Sequence, residues 1–337
     1  MSTFPLTTVT LQGGVDAALA LIPSAAGVGQ IVAAGERNLV IGRPSNLRRW
    51  AASHLGRARP VKPAPGKRPP RPPTDLTAIA VAIAYVKTTS PFGQRLAFER
   101  LMARYVPLSK RRDLKRPAYL RLDPDERFPR LVIQPTPDGG HVFGPFRDSR
   151  AATRARDALY KRFRIRPCDF EFEPAPDLPL GLGCLDAQVE SCAAPCLQRV
   201  TPEAYRGLAA DVARALEGSP EVTEIPAWVR RADGRSLVVE RGKAGLEVYP
   251  IAGGGVIEEA AVAVTLDGLE RSVDGLAWTC VAEPRDDTPW LNAWRHGKHS
   301  GVEIPIAAGE AAAAIAARIR QAVGRSAPAP RGVGAPP

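Results

Sequence analysis

An α+β fold in three segments is what the sequence predicts, on three observations. Short apolar runs punctuated by Gly and Asn alternate with longer stretches of helical periodicity. A break rich in Pro, Lys and Arg interrupts that pattern early. The last third turns to strand-like runs separated by Gly-rich turns. At 337 residues and 45% hydrophobic content the chain can build two or three cores, and wholesale disorder is excluded.

Taken in order, Gln30–Ala33 and Asn38–Ile41 read as short strands around the turn Ala34–Arg37. Ser45–Leu55 follows as a helix, capped by Ser45 or Asn46, since either side chain can accept from a free N–H of the first turn. Gly56–Asp75 holds seven prolines and six Lys or Arg residues and reads as an extended basic linker or insertion. Leu76–Lys87 is apolar enough for a strand, and Phe92–Tyr105 has helical spacing through Leu96, Phe98, Leu101 and Met102. Beyond the basic loop Ser109–Arg116, strands are expected at Tyr119–Leu122, Arg130–Gln134 and His141–Phe143. Ser149–Phe163 reads as a helix with a basic face, and Pro202 to about Leu216 as another. Residues 221–325 read as a separate small α+β unit, with strands at Leu237–Arg241, Leu246–Ile251, Val256–Val264 and Leu276–Val281 and a helix at Ala308–Val323. The expected domains are 15–107, 108–217 and 221–325, with a disordered tail at 326–337.

A net charge of +11 favours a polyanionic partner, because Lys and Arg that neutralise phosphates release condensed counterions. The longest apolar runs, Ala78–Tyr85 and Ala311–Ala317, fall short of the roughly 18 residues a membrane span needs. Met1–Leu11 lacks the basic and apolar regions of a secretory signal, so a cytoplasmic protein without a membrane partner is expected. Four of the five cysteines, Cys168, Cys184, Cys192 and Cys196, fall within 29 residues. In a cytosolic chain such clustering points to metal before disulfide. Their spacing, x15, x7 and x3, lacks the paired CxxC of a zinc ribbon. Four thiolates suit an iron–sulfur cubane, although spacing alone leaves zinc open. Cys280 reads as plain core. Trp290, Trp294, His296 and His299 offer two histidines without a third ligand, and read as a surface loop over core tryptophans.

Several stretches, in order, resemble UvrC, the DNA-incising subunit of bacterial excision repair. They are Leu21-Ile22-Pro23 with Ala26-Gly27-Val28, the run from Val40 to Arg49, Phe128-Pro129-Arg130, Phe143-Gly144-Pro145-Phe146, Arg164 to Cys168, and Ala194 to Arg206. The resemblance covers about residues 20–217. It implies a GIY-YIG nuclease-like domain followed by the cysteine-containing segment of UvrC, with a 4Fe–4S cluster on the four cysteines.

The family's nuclease residues map onto this chain with losses. Its two tyrosines fall on Gly29 and Val40, neither of which can accept a proton, and its arginine falls on Trp50, beside Arg49. Arg43 keeps a usual lysine's charge, and Glu99 takes the place of the glutamate that holds Mg²⁺ or Mn²⁺. Arg43, Arg48, Arg49, Arg111, Arg112, Lys115, Arg150, Arg154 and Lys161 are the candidate DNA contacts. The helical hairpin that contacts UvrB, the RNase H-like nuclease and the tandem helix-hairpin-helix have no counterpart, which places the architecture nearer to Cho and argues against recruitment by UvrB; duplex DNA and excision-repair proteins are the partners expected. The leading reading is a DNA-binding iron–sulfur protein with a degenerate nuclease centre. Alternatives are a Cho-like endonuclease making one incision with Glu99, Arg49 and His54, and an RNA-binding metalloprotein.

Overall fold

A computed structural model describes residues 5–57, 73–111, 114–178, 184–217, 230–231, 234–243, 245–252, 254–257, 261–276, 287–307 and 309–325. Its elements form three antiparallel sheets with helices packed on them, so the chain is α+β. None of the helices among the described residues is long and apolar enough to cross a membrane.

The first unit contains β1 (Thr7–Thr10), α1 (Val15–Leu21), β2 (Gly27–Val32), β3 (Asn38–Gly42), α2 (Leu47–His54), β4 (Ala82–Lys87) and α3 (Pro91–Ala103). Its sheet runs in the order β1-β4-β2-β3. Alternation along β2 decides which helix meets which face. Ile31 joins Ile22, Leu47, Ala51, Leu55 and Ile83 on the α1/α2 side, while Val28 joins Ala97 and Leu101 of α3 on the other. Asn46 is the cap of α2, its side chain accepting from Arg49 N–H at 2.9 Å. The expected strand from Leu76 begins only at Ala82. Asp75 accepts from the backbone N–H of Thr77 at 2.9 Å and from its hydroxyl at 2.6 Å, and this Asx turn bends the chain first.

The second unit holds β5 (Ala118–Leu122), β6 (Leu131–Gln134), β7 (His141–Phe146), α4 (Ser149–Phe163), α5 (Leu185–Gln188), α6 (Pro202–Leu216) and the two-residue β8 (Arg230–Arg231). Asp148 and Thr201 cap α4 and α6 through Ala151 N–H and Ala204 N–H. Leu120, Leu122 and Phe143 of the sheet bury against Ala152, Ala155 and Leu159 of α4 and Tyr205, Val212 and Leu216 of α6.

The third unit consists of β9 (Arg235–Arg241), β10 (Leu246–Ala252), β11 (Gly255–Val256), β12 (Val262–Val264), α7 (Leu269–Asp274), α8 (Thr288–Arg295), β13 (Val302–Ile306) and α9 (Ala312–Arg325). The expected strand Val256–Val264 is two short ones. Leu276 follows α7 rather than starting a strand, and the rest of Leu276–Val281, Cys280 included, lies outside the described residues. The tryptophan segment is helix α8, with Pro289 in its first turn and Trp290 buried.

This unit does not pack apart from the rest. One face of its sheet buries Leu237, Val239 and Val248 against α7 and α9. The other face buries Val238, Tyr249 and Ile251 against Phe92 and Leu96 of α3, together with Trp290 and Leu291 of α8. Both ends of α3 are also held by its acids. Glu240 accepts from Phe92 N–H, and Glu247 accepts from the hydroxyls of Thr89, Ser90 and Tyr249. Farther along, Arg100 forms a two-point ion pair with Asp287. Carboxylates at the first turn of a helix are favoured by its unsatisfied N–H groups and dipole.

Candidate functional site

Gly29 and Gly42 are directly paired across β2 and β3. The indole of Trp50, projecting from α2, lies over both. A Cβ on Gly29 would stand 2.4 Å from Trp50 Cζ3, and one on Gly42 would stand 2.6 Å from Trp50 Nε1. The two glycines therefore make the floor on which this tryptophan rests, and the side chain fills the space above the strand pair. His54 meets Trp50 edge-on at 5.3 Å, and burial lowers the imidazole's pKa. Val40, beside Ile31 in register, packs into the α2-side core.

Glu99 is 5% exposed, and both of its oxygens are taken. Arg95, one helical turn earlier, reaches one oxygen at 2.6 Å, and Arg111 donates to the two at 2.8 and 3.3 Å. A divalent ion at Glu99 would have to displace a guanidinium from a buried carboxylate. Arg111, expected among the DNA contacts, is instead buried in this ion pair, and Arg112 lies outside the described residues. Arg43 is exposed and sits 5.6 Å over the Phe98 ring. Arg48 is engaged locally: its guanidinium donates to Ile22 O at 2.7 Å and Ala20 O at 3.3 Å at the end of α1. Arg49 is exposed on α2, as are Lys115, Arg150, Arg154 and Lys161 farther along the chain.

The four clustered cysteines fall on irregular backbone. Cys184 precedes the four-residue α5, and Cys196 lies in a single 3-10 turn flanked by Ala194 and Gln198 at φ 50° and 55°. Cys192 and Cys196 are buried, whereas Cys168 and Cys184 are half-buried. Burial pushes the Cys192 thiol up to about 11, and the other three cysteines add to the shift. Burial likewise raises Cys196, with Cys184 and Cys168 contributing. Cys192 and Cys196 are thus each in electrostatic reach of Cys168 and Cys184. Among the described residues, however, no three His, Cys, Asp or Glu side chains are gathered tightly enough to hold one metal ion. Cys192 Sγ also accepts from Ala194 N–H at 3.3 Å, a bond that favours a negatively charged sulfur.

Residues 118–215, from the first residue of β5 into the last turn of α6, match the family model of the UvrC/Cho excinuclease middle domain. The chain is similar to UvrC over about 60% of its length. It is 29% identical to the UvrABC system protein C of Rhodospirillum rubrum over 219 residues, which is 62% of this chain and 32% of that protein. With that of Aromatoleum aromaticum it shares 32% identity over 213 residues, 59% of this chain and 32% of the relative. A shorter stretch of 109 residues is 37% identical to the protein of Geobacter metallireducens, covering 32% of this chain and 17% of that one. The chain thus spans about a third of the length of the first two relatives. No solved structure matches it.

All four cysteines lie inside the matched UvrC-like span, as do Arg150, Arg154 and Lys161 of α4. Sequence reasoning missed the two arginines that close Glu99. The four-residue spacing of Arg95 was legible, but the approach of Arg111 depends on how the chain returns after α3.

Proposed function

We propose that this UvrC-like chain is a DNA-binding protein of excision repair with a degenerate GIY-YIG-like nuclease centre that no longer cleaves, carrying a 4Fe–4S cluster. The observation that carries the reading is the indole of Trp50 seated on Gly29 and Gly42. Metal-assisted phosphodiester cleavage needs a proton acceptor near the attacking water, a divalent ion and a cation for the developing charge. Gly29 and Val40 supply no acceptor, Trp50 supplies no cation, and Glu99 is neutralised by Arg95 and Arg111. The order β2, β3, α2, β4, α3 supports a GIY-YIG-like origin for this unit.

Cys168, Cys184, Cys192 and Cys196 would hold the cluster. The grouping of four thiols within 29 residues, with Cys192 and Cys196 each in electrostatic reach of Cys168 and Cys184, supports a shared metal centre. When bound, the cluster supplies a cross-link among loops that have little regular structure of their own. Its role is structural: it fastens the segment after α4 to the start of α6.

A nicking assay on a lesion-bearing duplex with Mg²⁺ or Mn²⁺ tests the reading. The DNA is expected to be bound and left uncut. Metal-dependent incision abolished by Glu99→Gln would replace this reading with the Cho-like endonuclease one.

A further inference from the structure

Three stretches of chain meet where α4 begins and α8 ends. Asn292 of α8, 2% exposed, donates from its side-chain amide to Phe146 O at 3.2 Å and to Arg147 O at 3.4 Å. These bonds seat the third unit on the turn that leads into α4. Two sets of charges are thereby brought together. Lys115, Arg147 and Arg154 stand in electrostatic reach of Asp148, and His296 stands in reach of Arg147, Arg295 and Asp148.

Lys115, Arg116, Arg147, Arg150 and Arg154 here, and Lys298 two residues beyond His296, are all exposed, and among the described residues none of their side chains makes an ion pair or hydrogen bond. Several exposed arginines elsewhere are paired, as in Arg57–Asp16, Arg127–Glu173, Arg164–Glu190 and Arg206–Glu203. Arg295, beside His296, is held by Glu303. Asp148 is the carboxylate in reach of the set, and one of its oxygens accepts from Ala151 N–H at the start of α4. Arg150 and Arg154 lie one turn apart and share a face of α4. Like charges that outnumber the carboxylate beside them repel one another, and a polyanion relieves that repulsion while releasing its own counterions.

We propose that the junction of α4 with the C-terminal end of α8 is a seam that binds the phosphate backbone of duplex DNA, with the third unit supplying His296 and Lys298. The proposal rests on the DNA-binding reading above and extends it. The contribution of α8 falls outside residues 118–215, so the third unit takes part in binding that the UvrC-like segment begins. Contacts to backbone phosphates carry no base information, so the seam fixes where the duplex lies without choosing its sequence.

The test is fluorescence anisotropy of the full chain with a duplex of arbitrary sequence, over a range of salt concentrations. Three variants are compared with the parent: Lys298→Ala, the double change Arg150→Ala with Arg154→Ala, and the control Arg318→Ala on α9. The slope of log K against log salt should shrink by about 0.9 for each phosphate that the variant no longer neutralises. Affinity should fall by roughly threefold to tenfold for each seam cation removed, and the control should bind as the parent does. Melting temperatures report whether each variant is folded. If the parent binds DNA and both seam variants keep its affinity and slope, the seam is refuted and the DNA-binding reading stands. A parent chain that binds no DNA overturns both. Tighter binding to duplex RNA, with the same weakening in the seam variants, would overturn the assignment to DNA.

Discussion

Replacing Asp287 by Ala is expected to destabilise the chain by about 3–5 kcal/mol, the range for breaking one side of a buried ion pair. Asp287 accepts from the guanidinium of Arg100, from Val256 N–H at 2.9 Å and from Trp290 Nε1–H at 2.9 Å. The change takes the carboxylate from a buried cation and leaves two buried donors without their acceptor, and each loss is costly alone. Arg100 belongs to α3, while Val256 and Trp290 belong to the third unit, so the loss falls on the packing between them. Phe92 and Leu96 share a core with Tyr249, Ile251 and Trp290, and this coupling predicts that α3 and the third sheet unfold together. Denaturant unfolding followed at tryptophan and by far-UV circular dichroism checks both statements. A loss below about 1 kcal/mol would mean that the ion pair is not buried as described.

The second large effect is expected at the cysteines. Cys192→Ser or Cys196→Ser should lose the cluster and destabilise residues 165–200, because a serine hydroxyl is a poor substitute for a thiolate on iron. Between α4 and α6 the described chain has only the four-residue α5 and one 3-10 turn. It also has positive φ at Arg164, Glu190, Ala194 and Gln198, none of them glycine. Left-handed backbone of this kind persists where surrounding structure over-determines it, and a four-ligand cluster would do so. Anaerobic purification with an absorption spectrum and iron, sulfide and zinc analysis should give about four irons per chain in the parent and none in the variants. One zinc without iron would keep the ligands and refute the cluster. Unchanged metal and melting temperature in both variants would refute the ligand assignment.

Helices and strands with strong local patterns were legible in the sequence, and long-range partners were not. Helix α4 runs from Ser149 to Phe163 as read, because Asp148 caps it and its apolar residues recur at helical spacing. The Thr-Thr-Val-Thr run of β1 is β-branched and was open to the same reading, yet it was missed. Continuous burial along Leu246–Ile251 of β10 shows that this sheet is covered on both faces. Nothing local in the sequence says that the second cover is α3, more than 140 residues earlier. At the candidate site Gly29, Val40 and Trp50 were visible where the resemblance implies two tyrosines and an arginine, but not that the Trp50 indole rests on Gly29 and Gly42. That depends on the register pairing Gly29 with Gly42 beneath α2. The seam at α4 and α8 was half legible, as the basic face of α4, while its other half depends on Asn292 docking α8 there.

The central claim, that Trp50 closes the cleft above Gly29 and Gly42, is tested most directly by the stability of Gly29→Ala in two backgrounds. With Trp50 present the new methyl group meets the indole well inside contact distance, and overpacking of this kind costs about 1–3 kcal/mol. In a Trp50→Ala background the three nearest contacts of that methyl group are gone, and alanine in a strand is favoured over glycine by roughly 0.5–1 kcal/mol. The effect of Gly29→Ala should therefore change sign, from destabilising with Trp50 to neutral or stabilising without it. Equal destabilisation in both backgrounds would place the indole elsewhere and remove the observation on which the non-cleaving reading stands.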